Sequence, residues 1–369
     1  MRIAYLVHGA YGAGSGVRDK ILSQAATWSL LGAVVGVFVR CEAGDESDWV
    51  DQPHVVRVRA SRHGILGRLV QRELLSLDVA RWRPDAVYLR QTTVSPSIVA
   101  LAFAVPTVVE VNTLDLAELR IRSRPRYWWA VATRRLVLRA ARAIVAVADE
   151  IARHPDLHGL GKAVATIPNS IDLAAYVPLP SPDNTEPRLV FLGAPGLPWH
   201  GVDKIARMAV RFPGWRFDVV GPDPAELPGA PPNLFVHGVM TREEYLPILA
   251  AADVGIGSLA LHRKSMDEAT PLKVAEYLAH GLPAVIGYRD GRFPDGAPFL
   301  LRLPNVEHNV DPCVEAIASF VREWRGRRVE RAAIEGIDAR HVERRRLELI
   351  ASVAGRGGAG HVQSRTRVG

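Results

Sequence analysis

Glu268 and Glu276 are separated by seven residues and bracket the tetrapeptide Thr270-Pro271-Leu272-Lys273 in the stretch "MDEATPLKVAEYLAHGLPAVIG", residues 266 to 287. Thr270 suits a helix N-cap and Pro271 the first helical position. Gly281 ends the helix, Pro283 blocks its continuation, and Ala284-Val285-Ile286 reads as a short buried strand. Glu268 then lies in the loop before the helix and Glu276 about a turn and a half inside it. An ordinary helix has no need of this arrangement. A site that holds an anionic ligand at a helix N-terminus would use it.

The elements that must position these residues follow from the chain's length and pattern. At 369 residues the chain exceeds what one core usually serves, so two domains are expected. Hydrophobic residues make up 48%, enough for packed cores. Short apolar runs alternate with helical patterns. Thirteen read as strands, from Ile3–Val7 through Arg188–Leu192 to Phe299–Arg302, and their lack of polar alternation predicts parallel sheets covered on both faces. The stretch "LAAYVPLPSPDNTEP" reads as a linker over residues 173 to 187. It divides the chain into a first domain over residues 1 to 172 and a second over 188 to 340. Residues 341 to 354 read as a helix crossing back to the first domain, and 355 to 369 as a disordered tail. The fold class is thus α/β, two Rossmann-like doubly wound domains facing a cleft, with ligands expected beyond the carboxyl ends of the strands.

Composition narrows the chemistry. The only cysteines, Cys41 and Cys313, are far apart and fit neither a zinc spacing nor a disulfide framework. The N-terminus has no signal-peptide pattern, and the longest apolar run, Ile98 to Val105, is too short to span a bilayer. The expectation is a cytoplasmic protein, either soluble or peripheral on the inner face of a membrane. A formal net charge of +7 suits acidic partners such as nucleotides or phospholipid surfaces. No recognised nucleic-acid module accompanies the charge, so nucleic acid is not an expected partner. No Asp-x-Asp motif and no His/Cys cluster occurs, so no required metal is expected.

Four segments in order resemble retaining glycosyltransferases of the GT-B fold, glycosyltransferase family 4. They are "IPNSID" from Ile167, "FLGAPGLPWHGVDKI" from Phe191, the run from Trp215 to Ile256, and the two-glutamate segment above. The resemblance implies sugar transfer from a UDP- or GDP-sugar to a glycan, lipid-linked or small-molecule acceptor, with no cofactor beyond that donor substrate. It implies Glu268 near the donor sugar's hydroxyls, Glu276 on the ribose, and Lys273 with Thr270, Pro271 and Leu272 at the diphosphate. Gly193 belongs to the first donor-domain loop. Where relatives carry an arginine and a lysine, this chain has Ala194 and His200, so Lys273, Arg263 or Lys264 would substitute, and His200 can donate to a phosphate. No histidine takes the place of the one that many relatives carry in the first domain; "VVEVNTLDLAE" offers Glu110, Asn112, Asp115 and Glu118 instead.

The first loop, "HGAYGAGSGV", follows the first strand, and its glycines allow close backbone approach to a ligand. Gly14, Ser15 and Gly16 are the residues expected at the donor. Glu42, after the second strand, would complete a dinucleotide fingerprint, but the glycine spacing does not match one. His8 reads as a packed histidine. A second feature is "RIRSRPRYWWAVATRRLVLRAAR", residues 120 to 142, with eight arginines and no acid. Arg134, Arg135, Arg139 and Arg142 can share a face, which fits a helix on an anionic membrane surface; the competing reading packs the tryptophans in the core. Alternatives to transfer are a sugar-nucleotide epimerase on the same scaffold and a non-catalytic partner protein that keeps the fold.

Overall fold

The computed structural model describes residues 1–9, 11–12, 15–61, 64–91 and 94–355, without the side chains of residues 65 and 66. Gly14 and most of the expected tail lie outside the described residues. Seven strands build the first sheet: β1 (Arg2–Val7), β2 (Val34–Glu42), β3 (Val55–Ser61), β4 (Ala86–Arg90), β5 (Thr107–Val111), β6 (Ala143–Ala146) and β7 (Ala163–Thr166). Six build the second: β8 (Arg188–Leu192), β9 (Arg216–Val220), β10 (Leu234–Gly238), β11 (Val254–Ile256), β12 (Ala284–Ile286) and β13 (Leu300–Arg302).

The orders are β3-β2-β1-β4-β5-β6-β7 and β10-β9-β8-β11-β12-β13. Every pairing is parallel. Each sheet therefore reverses its winding once, between β1 and β4 and between β8 and β11, and the crevice beyond those strand ends is where this architecture receives ligands.

The period of two along β1 sorts its side chains onto opposite faces. Ile3, Tyr5 and Val7 pack with Trp28 of the Gly16–Leu30 helix, Tyr88 and Ile350. Tyr5, Trp28 and Tyr88 have ring centroids 5.1 to 5.4 Å apart, and each such pair adds roughly 0.5–1.5 kcal/mol beyond its area burial. On the other face, Ala4 and Leu6 pack with Phe38, Leu75 and Val79, the last two from the Ile65–Trp82 helix.

The last helix, Ala339–Ala354, is capped by the Asp338 side chain and packs on the Gly16–Leu30 helix of the first half. Glu343, fully buried on it, accepts from Ser170 Oγ at 2.7 Å, Trp28 Nε1 at 3.0 Å and Gln24 Nε2 at 3.1 Å. Arg346, equally buried, donates to the carbonyls of Ile167 and Pro168. The segment 173–187 is itself held in place: Asn184 donates to Ala251 O and to Asp253.

The basic segment differs from its expected form. It is two helices, Asp115–Arg122 and Arg124–Ala140, broken at Ser123. Arg134 is not on the outward arginine face. It is buried and paired with Asp156 at 2.9 Å and Asp115 at 3.5 Å, because the helix face that carries Ala130, Val137 and Leu138 turns inward. Trp128 and Trp129 are 66% and 52% exposed, so the tryptophans do not pack in the core.

Candidate functional site

A cavity of about 830 Å³ lies between the two halves at the carboxyl ends of β1 and β8. One wall is the start of the Leu272–Ala279 helix. Its apolar residues Val274, Ala275, Tyr277 and Leu278 are buried, and the Tyr277 hydroxyl accepts from Leu192 N at 2.6 Å and donates to Ile256 O at 3.1 Å. Those bonds fix the helix against the ends of β8 and β11. The 3.6-residue period then turns Leu272, Lys273 and Glu276 into the cavity.

The helix starts one residue later than its sequence suggests. Pro271 is the N-cap, with ψ at 147°, and no side chain caps the first turn. Thr270 is no cap: its hydroxyl donates to Val147 O at 3.0 Å and accepts from Asn169 N at 3.3 Å, which ties the helix start to the first half. The extended backbone at Pro271 is what shifts the start, and it leaves the first-turn amides without a side-chain acceptor.

Lys273 is the most unusual group on this wall. Its Nζ is buried, has no hydrogen-bond partner among the described residues, and lies 4.0 Å from the Phe191 ring centroid. Burial, followed by the charge of Lys264, pulls its pKa down to about 7. A buried ammonium without an anion is costly, and its partner is expected to come from a ligand. His200 stands beside it, 5.3 Å from the same ring, with a buried Nδ1 that also has no partner among the described residues. Burial and then the charges of Lys273 and Lys264 hold His200 well below the usual histidine range, so it is neutral at pH 7.

Glu276 faces the same space one turn on. Its Oε1 accepts from the Tyr245 hydroxyl at 2.8 Å, and Arg242 approaches it to 3.9 Å while stacking 4.1 Å from the Tyr176 ring. Burial raises the Glu276 carboxyl above its ordinary range, against the Tyr245 hydrogen bond. Oε2 has no hydrogen bond among the described residues, which leaves an acceptor for a ligand hydroxyl.

Gly193 must be glycine here. A Cβ would stand 2.4 Å from the Phe191 ring and 3.0 Å from His200 Nδ1. Ser15 and Gly16 form part of the facing wall, and a Cβ on Gly16 would meet Leu272 Cδ1 at 3.8 Å, so the two halves touch at this point.

Three expected site residues are engaged away from the cavity wall. Glu268 accepts from Asp149 N at 3.0 Å and has Arg289 at 3.6 Å, so it joins the two halves. Arg263 is held by Asp203 and Glu307. Lys264 donates to Glu118 at 2.8 Å and Thr113 at 3.1 Å, again across the halves. Of the candidate cations Arg263, Lys264 and Lys273, the last is thus the one that carboxylates of the described residues leave unneutralised. Sequence reasoning missed the groups around Glu276, namely Arg242 and Tyr245 from one turn of the Arg242–Ala251 helix and Tyr176 from a distant segment. Phe191 was visible only as the first residue of "FLG". Among the described residues no group of three or more His, Cys, Asp or Glu is placed to hold a metal ion, and no helix is long and apolar enough to cross a membrane.

Two parallel Rossmann-like sheets facing a shared cleft define the GT-B fold. Residues 15–170 match the family described as Glycosyl transferase 4-like domain. Similar solved structures include sucrose-phosphate synthase from Thermosynechococcus elongatus, at TM-score 0.67 and 14% identity over 96% of this chain and 99% of that one. HepE of Anabaena in complex with UDP and glucose is similar at TM-score 0.66 and 17% identity, over 95% and 100%. The catalytic domain of starch synthase IV from Arabidopsis thaliana, bound to ADP and acarbose, is similar at 0.68 and 11%, over 96% and 99%. No curated protein matches the chain in sequence.

Proposed function

We propose that this protein is a retaining glycosyltransferase that moves a sugar from a nucleoside-diphosphate sugar to an acceptor bound by the first half. The observation that carries the reading is the buried, unpartnered Lys273 ammonium beside an uncapped helix start in the cleft. A diphosphate supplies the missing anion. The ammonium and the first-turn amides then oppose the negative charge that builds on the departing diphosphate, and preorganised groups of this kind stabilise a transition state without reorganisation. The neutral His200 ring donates through an N–H. The free oxygen of Glu276 takes the ribose hydroxyls and fixes the nucleoside.

Retention follows from front-face attack by the acceptor hydroxyl, with its proton passing to the leaving phosphate oxygen. The UDP-bound relative named above and the matched family support the donor class. Contact of the halves at Gly16 and Leu272 supports a site that excludes water and so limits donor hydrolysis. The nucleotide-sugar reading is tested by incubating the protein with UDP- and GDP-sugars, with and without acceptor, and following the anomeric protons by NMR. Transfer with the donor's anomeric configuration is the expected result. Inversion overturns the retaining assignment, an isomerised donor points to epimerisation, and an inert donor set overturns the enzyme reading.

The exposed Trp128, Trp129 and Leu136 on the Arg124–Ala140 helix, among arginines, support docking on an anionic membrane surface. Flotation with phosphatidylglycerol vesicles at low salt tests it: binding lost on changing both tryptophans to alanine is expected, and no binding overturns it.

A further inference from the structure

The polar groups on the opposite face of the first sheet, where Ala4 and Leu6 pack, are not used by the donor site. Along β1 the face that carries Ala4 and Leu6 continues to His8, and along β2 the face that carries Phe38 continues to Arg40. Val7 pairs with Val39 in parallel register, so His8, just past the carboxyl end of β1, stands beside Arg40 near the carboxyl end of β2. The Ile65–Trp82 helix covers that face with Leu75 and Val79, and Arg72 lies one turn before them on the same stripe. The apolar layer thus ends in three polar groups, all buried: His8 at 7% exposure, Arg40 at 6% and Arg72 at 9%.

Both ring nitrogens of His8, and the Nε atoms of Arg40 and Arg72, have no hydrogen-bond partner among the described residues. Arg40 donates through Nη1 to Ser61 Oγ at 2.7 Å and approaches Glu42 at 3.3 Å. Glu42 is shared with Arg68 at 3.3 Å, so this carboxylate faces two guanidinium groups. For Arg72 no ion pair forms with any described residue. Burial and then the charge of Arg40 lower its pKa, the Glu73 charge partly offsets this, and Arg126 lowers it further. Arg126 lies on the wall of a second cavity, of about 520 Å³, with Gln91, Val94 and Arg122.

Buried guanidinium groups are normally paired, and leaving several donors unmatched at one place is expensive. Planar guanidinium forks converging with a histidine match a tetrahedral oxyanion, which has acceptor lone pairs in several directions. We propose that His8, Arg40 and Arg72 bind a phosphate group of the acceptor, whose remainder occupies the neighbouring cavity. The inference rests on the glycosyltransferase reading and assigns its acceptor to the phosphorylated class, either a phosphate monoester or the diester of a lipid headgroup.

The test uses the full-length protein with the donor pocket saturated by UDP. Glycerol 3-phosphate, dihexanoyl phosphatidylglycerol below its micellar concentration, and glycerate are titrated by calorimetry into wild type, Arg72→Met and Arg40→Met. Saturable binding of at least one phosphate probe is expected, weakened roughly tenfold or more in Arg72→Met, with UDP affinity unchanged as the control for folding. Binding of glycerol 3-phosphate alone makes the acceptor a soluble phosphate, and binding of the lipid alone makes it a headgroup. Phosphate binding that is absent, equal in the variants, or matched by glycerate overturns the proposal. Failure of UDP itself to bind wild type would instead count against the donor reading.

Discussion

Each half of the molecule buries a lysine at the cleft, and the two have opposite surroundings. Lys20, on the Gly16–Leu30 helix, donates to Glu110 at 2.8 Å and to Asn112 at 3.1 Å. Arg90 at 3.4 Å and Arg346 at 3.8 Å also flank Glu110, which is fully buried and held well below the usual carboxylate range against its own burial. Burial brings Lys20 down to about 8 despite that partner. Lys273 has an aromatic ring and a second lysine for neighbours and falls to about 7. A buried cation with its own carboxylate belongs to the architecture, here the anchoring of the last helix onto the first sheet. A buried cation without one belongs to a ligand.

The comparison breaks first at Glu110. In Glu110→Gln, Lys20 and Arg90 lose their charged partner, while Arg346 keeps Glu343. A loss of roughly 3–5 kcal/mol of stability is expected, read as a fall on the order of 10 °C in Tm, with donor affinity at low temperature little changed. Lys273→Met should do the reverse. Donor turnover, as kcat/KM, is expected to fall about 10²- to 10³-fold, the scale of losing one preorganised donor to a developing oxyanion. Thermal stability at pH 6 to 7 should rise, because a buried unpaired charge is replaced by an apolar chain of similar length.

Glu276→Gln comes next, with donor affinity weaker by roughly 10- to 100-fold in calorimetry and no change in melting behaviour comparable to that of Glu110→Gln. The smallest effect is on pH dependence. A bound diphosphate raises the pKa of Lys273 above its free value near 7, so binding takes up a proton. Donor affinity is therefore expected to fall as pH rises from 7 to 9, approaching about tenfold per unit. The stability linkage has the opposite slope. Above pH 7 the unfolded chain keeps a proton that folded Lys273 has lost, so this residue's contribution to stability improves with pH up to the ordinary lysine range. Lys273→Met should flatten both profiles.

The strands were legible because a parallel sheet covered on both faces writes itself as uninterrupted apolar runs. Ile3–Val7, Ala86–Leu89 and Arg188–Leu192 each match a strand to within one residue at either end. The helix that carries Lys273 and Glu276 was legible from Pro271 and Gly281, and its start was misread by one residue because Thr270, a good cap by type, bonds across to the first half. What local pattern cannot show is which long-range partner claims a side chain. Arg263, Lys264 and Glu268 have the right chemistry for a phosphate or sugar site, yet Asp203, Glu118 and Asp149 from distant segments engage them. His8 reads as an ordinary packed histidine. Only register and helix packing show that it is buried beside two arginines with both ring nitrogens unpartnered among the described residues.

Calorimetric titration of UDP and GDP at pH 8, in two buffers of different ionisation enthalpy, tests the role of Lys273 most directly. The account predicts uptake of close to one proton per bound nucleotide by wild type, and none by Lys273→Met, which also binds far more weakly. Nucleotide binding without proton uptake, or with the same affinity and uptake in Lys273→Met, would contradict it.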